Sequence, residues 1–243
     1  MELKEYLDYL VEWIQQEVKK ANQKGVIVGI SGGIDSAVVV ALAKKAFPDN
    51  YLAVWMPCYS SQLDETCKEE LTRDLDLNYV SVDLKQPFET LRDSLNNSGI
   101  EQSKLAIANT KARLRMSTLY SMAQTHNYLV LGTDNADEWH IGYFTKFGDG
   151  GVDLLPIVSL LKREVREAAK LLGVPDSIIN RAPTASLWED QTDESEIGFG
   201  YDLIDDYLAG KEVSSEVKER IEQLHNISEH KRQGAPAPKK FER

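Results

Sequence analysis

The sequence predicts an α/β fold: a doubly wound parallel sheet with a helical C-terminal part. Three observations carry this. Four short apolar runs, rich in β-branched residues, recur within the first 131 positions, as expected of strands covered on both faces. Segments with apolar residues at three- and four-residue steps separate them, and parallel neighbours require such crossover helices. From Leu160 onward only helical periods continue.

The elements follow in order. Leu3, Leu7, Leu10, Val11, Ile14 and Val18 give an amphipathic first helix, and Val26 to Ile30 is the first strand. The chain turns at Ser31-Gly32-Gly33 into Ala37 to Ala46, apolar nearly all round and therefore a buried helix. Tyr51 to Met56 is a strand, Leu63 to Leu75 a helix, and Tyr79 to Val82 a strand. The next helix is placed near Ser103 to Gln124, with Ala112, Met116, Leu119 and Ala123 as its core stripe, and Tyr128 to Leu131 is the fourth strand. Helical periods then cover Leu160 to Leu172, Asp202 to Leu208 and Ser214 to Ile227. No repeat and no Gly/Ser/Pro-rich linker divides residues 1–243, so a single domain is expected, with an extended tail from about Gln233.

Composition narrows the partners. Lys and Arg number 28 against 39 Asp and Glu, a net charge of −11, which speaks against nucleic acid and anionic membrane surfaces as partners. Glu189 to Asp206 holds eight acids and no base, so the remainder carries 28 basic against 31 acidic residues and is nearly neutral. No run approaches the ~18 apolar residues of a membrane span. The start of the chain is acidic and amphipathic, not a basic leader, and Cys58 and Cys67 match no zinc or redox spacing. A cytoplasmic protein with free thiols is expected.

Gly29-Ile30-Ser31-Gly32-Gly33-Ile34-Asp35-Ser36 joins a buried strand to a buried helix, where open α/β sheets bind ligands. A helix N-terminus offers unpaired N–H groups and adjacent glycines let a phosphate approach the backbone, with Ser31 and Ser36 adding hydroxyls. Asp35 would repel a phosphate but suits the Mg²⁺ that accompanies one. The loop lacks the Lys of a Walker motif and the spacing of a dinucleotide fingerprint. It does satisfy the G-x-S-x-G nucleophile elbow of serine hydrolases, yet only one helix precedes it, and that motif needs an earlier strand to complete its oxyanion hole.

Thr133 and Glu138 lie just beyond the fourth strand and should reach the same sheet edge as Asp35, whereas Asp134 and Asp137 have the alternative of acids that start a helix. Two carboxylates converging there make a magnesium site; spacing does not choose between Asp137 and Glu138, and acids at a helix start have a structural reason of their own. Arg113 and Arg115 stand about 200° apart on their helix, so at most one of them faces a ligand there. Three glycines within Gly148-Asp149-Gly150-Gly151 exclude a stable helix or strand and suggest a mobile flap of the kind that shields a reactive intermediate from water. Lys162 sits at a helix start, where the dipole disfavours a cation unless function requires one.

Ser31 to Ser36 resembles the S-G-G-x-D-S pyrophosphate loop of the ATP pyrophosphatase superfamily, Rossmann-like enzymes of the adenine nucleotide alpha hydrolase type. Asn109 to Met116, Gly132 to Glu138, Gly142 to Pro156, Pro183-Thr184-Ala185 and Gln191 to Glu194 resemble the NAD synthetases, with likeness running from about residue 25 to about 231. That resemblance implies ATP contacts from Gly29 to Ser36, Thr133, Lys162 and Thr184, and Mg²⁺ on Asp35 and Glu138. It implies deamido-NAD contacts from Arg113, Lys146, Asp153, His230 and Lys231, with Asp149 activating ammonia.

The expected reaction is ATP-dependent amidation of deamido-NAD by ammonia through an adenylated carboxylate, by a homodimeric ligase of NAD biosynthesis that binds no nucleic acid. Ammonia is expected as the nitrogen donor because glutamine-dependent relatives carry an extra N-terminal domain, and only about 25 residues precede the first strand here. A serine hydrolase and a purely regulatory nucleotide-binding module are the rival readings.

Overall fold

The computed structural model describes residues 1–182 and 196–241. Four parallel strands, β1 (Gly25–Ile30), β2 (Tyr51–Trp55), β3 (Tyr79–Ser81) and β4 (Tyr128–Leu131), lie in the order β3-β2-β1-β4. The chain therefore winds outward from β1 in one direction, then returns to place β4 on the other side of β1. That reversal opens a crevice beyond the carboxyl ends of β1 and β4.

Alternation along β1 sorts the layers. Val26, Val28 and Ile30 pack with α1 (Leu3–Lys20), α2 (Ile34–Ala46) and α7 (Lys162–Leu171). Ile27 faces the other way, with Leu52, Val54 and Val130, against α4 (Lys85–Asn96) and α5 (Lys104–His126). A third cluster, Ile141, Ile197, Tyr201, Ile204 and Ile221, ties α6 (Ala136–Ile141) to α9 (Tyr201–Leu208) and α10 (Ser215–Arg232). The remaining elements are α3 (Gln62–Asp74) and the short α8 (Asp176–Ile179).

The four strands and the long helices match their expected positions within a few residues. Helix α4 is an addition: no element was expected between Val82 and Ser103. Pro87 stands in its first turn, where a missing N–H costs no helical bond, and Phe88 is its one buried residue. Beyond Arg232 the described tail has no regular structure and is exposed through Phe241.

Candidate active site

A cleft of about 580 Å³ opens at the carboxyl ends of β1, β2 and β4. The β1–α2 turn forms its floor. Gly32 has φ +78°, and a Cβ there would stand 2.8 Å from the Asp64 carbonyl oxygen, so the position demands glycine twice over. Inside the turn, Ser36 Oγ accepts from the Ser31 amide at 3.2 Å and donates to the Gly33 carbonyl at 3.0 Å, while Ser31 Oγ accepts from the Gly33 amide at 3.2 Å. Gly33 caps α2 without a side chain, leaving the first amides of that helix available to a ligand. Arg181 braces the turn from behind, donating to the Gly32 carbonyl at 3.3 Å and pairing with Asp64 at 2.6 Å.

Three segments distant in sequence meet beside this turn. The Lys162 ammonium, 2% exposed, lies 2.6 Å from Asp35 Oδ2 and 3.2 Å from Glu138 Oε1. Burial alone would pull that ammonium down, but Asp35 and then Glu138 outweigh it and hold it above the ordinary lysine range. The Tyr201 ring lies under it, 4.7 Å from centroid to Nζ, and the Tyr201 hydroxyl donates to Glu138 Oε1 at 3.2 Å.

Asn135, absent from the expected site, joins the three. Its Nδ2 donates to Asp35 Oδ1 at 2.8 Å, and its Oδ1 accepts from the amides of Asp137 and Glu138 at 3.0 and 3.1 Å. The capping box Asn135-x-x-Glu138 was a readable signal for this helix start. It also resolves the choice between the two acids. Glu138 turns to the cleft, whereas Asp137 is fully buried, accepts from the Lys162 amide at 2.7 Å and leaves Oδ1 without a hydrogen-bond partner among the described residues. Asp205, fully buried as well, likewise has an Oδ1 with no hydrogen-bond partner among the described residues.

The opposite wall comes from residues 142–153. Gly148 and Gly150 both donate to the Thr145 carbonyl, so this glycine-rich stretch is a turn, neither helix nor strand, as expected. Its glycines also serve packing, since a Cβ at Gly150 would lie 2.4 Å from the Phe144 ring. Asp149 lines the cleft and accepts from the Thr145 amide at 3.1 Å. Its carboxyl is open to the cleft yet deeply set, and that depth pushes it above the usual carboxylate range. Asp134, 4% exposed and with no partner for Oδ2 among the described residues, is pushed up further, by burial and then by the negative charge of Asp149.

Of the expected site residues, Gly29 to Ser31, Gly33 to Ser36, Thr133, Glu138, Asp149, Lys162 and Lys231 line the cleft. Lys231 donates to the Gly142 and Phe144 carbonyls, each at 2.7 Å. Arg113, Lys146 and His230 gather outside the cleft instead. Arg113 donates to the Lys146 carbonyl at 3.4 Å, and the Lys146 ammonium donates to the His230 carbonyl. Asp153 also lies outside, accepting from the Val130 amide at 2.8 Å and the Tyr120 hydroxyl at 3.0 Å. Of the two α5 arginines, the one on the cleft wall is Arg115. Thr184, with the Pro183 to Ala185 and Gln191 to Glu194 blocks, lies outside the described residues. Among the described residues, Ser31 Oγ hydrogen-bonds only Ser36 and Gly33, with no histidine to activate it, which removes the support for a serine hydrolase.

A parallel sheet with a glycine turn opening a helix, set against a lysine clasped by two carboxylates, defines the class. It is a nucleotide-handling α/β protein of the adenine nucleotide alpha hydrolase type, the fold of its solved neighbours. The chain belongs to the NAD synthase family, whose sequence profile matches residues 6–235. It is 67% identical over 243 residues to the NH₃-dependent NAD⁺ synthetase of Mesoplasma florum, covering the whole of both chains. Among solved structures it is similar to the NMN synthetase of Francisella tularensis, with a TM-score of 0.92, 42% identity and 98% and 99% of the two chains covered. It is similar also to the NH₃-dependent NAD synthetase of Campylobacter jejuni, with a TM-score of 0.81, 26% identity and 98% and 100% covered.

Proposed function

We infer that this protein is an ammonia-dependent NAD synthetase, a ligase that adenylates the nicotinate carboxylate of deamido-NAD with ATP and then replaces AMP with ammonia. The observation that carries the reading is the Lys162 clasp on Asp35 and Glu138 at the mouth of the β1–α2 turn. It sets a cation and two carboxylates beside a row of open helix amides, as pyrophosphate departure requires. The open amides of α2 hold the leaving pyrophosphate, and Lys162 neutralises charge as the P–O bond breaks. The carboxylate of the substrate is itself the nucleophile, so no side chain forms a covalent bond. Asp149 faces the cleft with a carboxyl that burial raises above the usual carboxylate range, placed to take a proton from incoming ammonium. The two substrates held side by side gain much of their rate from proximity.

Asp35 and Glu138 fit Mg²⁺. Both are hard oxygen donors already turned on one cation, and no group of three metal-ligating side chains exists among the described residues, which suits an ion that takes its remaining ligands from phosphate and water. When bound, the ion would polarise the phosphates and screen their charge.

Arg113, Lys146 and His230 form the second binding region, for the adenylyl half of deamido-NAD, and a second copy of the chain completes it in a homodimer. Phe147, 63% exposed beside Lys146, supplies apolar surface for that contact. The enzyme works as one domain in the cytoplasm; no helix among the described residues is long and apolar enough to cross a membrane.

Pyrophosphate release tests the whole reading. It should require ATP, deamido-NAD and Mg²⁺ together, and NAD should form with ammonium chloride; NAD formation from glutamine alone would refute the nitrogen source. A second substrate has its own support. The Francisella neighbour is an NMN synthetase, and a mononucleotide lacks the adenylyl half that the outer cluster would hold. Comparing kcat/KM for nicotinate mononucleotide and deamido-NAD decides between them.

A further inference from the structure

Helix α5 projects two arginines in nearly opposite directions. Arg113 points to the outer cluster, while Arg115 lines the cleft, which Trp55, Met56 and Asn109 also line. The polar contact of Arg115 is a hydrogen bond from Nε to the Met56 carbonyl oxygen at 3.1 Å, just past the end of β2. Among the described residues no carboxylate lies within ion-pair distance of its guanidinium. The charged or ionisable groups around it stand farther off, namely Cys58, Asp149 and Asp64. Burial pushes this guanidinium below the ordinary arginine range, and Lys111, one turn earlier on α5, is drawn down mainly by burial and further by Arg115 itself.

A desolvated cation without an anion is costly, and proteins accept that cost where a ligand repays it. The other cleft cations are engaged differently. Lys162 is clasped by Asp35 and Glu138, Arg181 by Asp64, Arg166 stands near Asp202, and Lys231 is spent on two carbonyls. Arg115 alone among them keeps both terminal guanidinium nitrogens unengaged among the described residues, with Nε fixing the plane of the fork. A guanidinium fork pairs with two oxygens of one phosphate or carboxylate.

Position selects the anion. Helix α2, whose N-terminal amides face the cleft, belongs to the layer on one face of the sheet, and α5 belongs to the layer on the other. A triphosphate whose outer two phosphates rest on the α2 amides runs towards α5 with its α-phosphate. We propose that Arg115 binds the α-phosphoryl group of ATP, and later the phosphate of AMP, from the α5 side, holding the phosphorus between two layers of the fold. This rests on the reading of the cleft as an ATP site.

The test is equilibrium binding of adenosine, AMP and ATP to the parent protein and to Arg115→Met and Arg115→Lys, with a melting curve for each. Arg115→Met should weaken AMP and ATP about 10- to 100-fold, the range of a lost charge-assisted phosphate contact, and leave adenosine unchanged. Arg115→Lys, which keeps a point charge without the fork, should lose less. Free guanidinium should restore part of the AMP affinity of Arg115→Met. Equal weakening of adenosine and AMP would make Arg115 a brace for the Met56 loop and overturn the proposal. So would weakening of ATP without AMP, which would place it on an outer phosphate, or no change in any ligand. Should Arg115→Met fail to fold, Arg115→Lys with unchanged AMP affinity would overturn it equally. Failure of the parent to bind any of the three would refute the ATP site itself, a separate outcome.

Discussion

Replacing Lys162 with Met keeps the unbranched apolar stem, one atom shorter, and removes its charge. The ammonium is 2% exposed and lies within 3.2 Å of two carboxylates, so the variant leaves Asp35 and Glu138 facing one another with no cation between them. Breaking a buried pair in this one-sided way costs about 3–5 kcal/mol. For a protein of this size each kcal/mol moves the melting temperature by about 2–4 °C, so Lys162→Met should melt about 6–20 °C below the parent in metal-free buffer. Removing all three charges together, in Asp35→Asn/Glu138→Gln/Lys162→Met, should recover most of that loss, because no unpaired charge remains. Mg²⁺ should raise the melting temperature of the single variant more than that of the parent, since a second cation can take the place of the first. Differential scanning fluorimetry with and without Mg²⁺ reads all of this. If Lys162→Met melts within about 2 °C of the parent, or the triple variant melts below the single one, the clasp is not an electrostatic unit and the reasoning fails.

Three further outcomes are expected. Burial and the facing Asp205 push the Asp137 carboxyl up to about 8, so the folded chain keeps a proton that the unfolded chain releases above about 4; stability should fall between pH 4 and 8, and Asp137→Asn should flatten that slope in urea titrations, whereas an unaltered slope would refute it. Asp153→Ala removes the acceptor for the Val130 amide and the Tyr120 hydroxyl and should cost about 1–3 kcal/mol, visible as a lower melting temperature whether or not ligand is present. Gly142→Ala combines a φ of +70° with a Cβ placed 2.2 Å from Ser228 Cβ, so it should destabilise by about 2 kcal/mol or more, and a parent-like denaturation midpoint would show that α6 and α10 are not locked at that point.

The sheet was legible because each strand is a short apolar run between breakers, and the β1–α2 turn because two glycines follow a buried strand. Helix α4 was not, since a Gln-Pro pair and a single buried Phe88 give a weak period. The choice between Arg113 and Arg115 was open to helical phase: Arg115 stands three residues after Ala112 and four before Leu119, both buried, and so flanks the core stripe. Asp205 could not be singled out within a run of acids, because only the packing of α9 against α7 shows that it is buried and bonded to the Arg163 amide. Asn135 was readable as a helix cap, but its bond to Asp35 spans 100 residues and no local pattern encodes it.

That span bears on how the protein is made. The clasp joins positions 35, 138 and 162, the first and the last 127 positions apart, while β1, α2 and β2 are consecutive and can pair early. A chain leaving the ribosome must expose Asp35 without its counterion until residue 162 has emerged. The clasp therefore cannot close before residue 162 has been made, and closing so long a loop carries an entropic cost that local pairs such as β1 and β2 avoid. Substitutions in the clasp should lower the yield of folded protein during synthesis by more than their equilibrium effect on the purified enzyme would suggest.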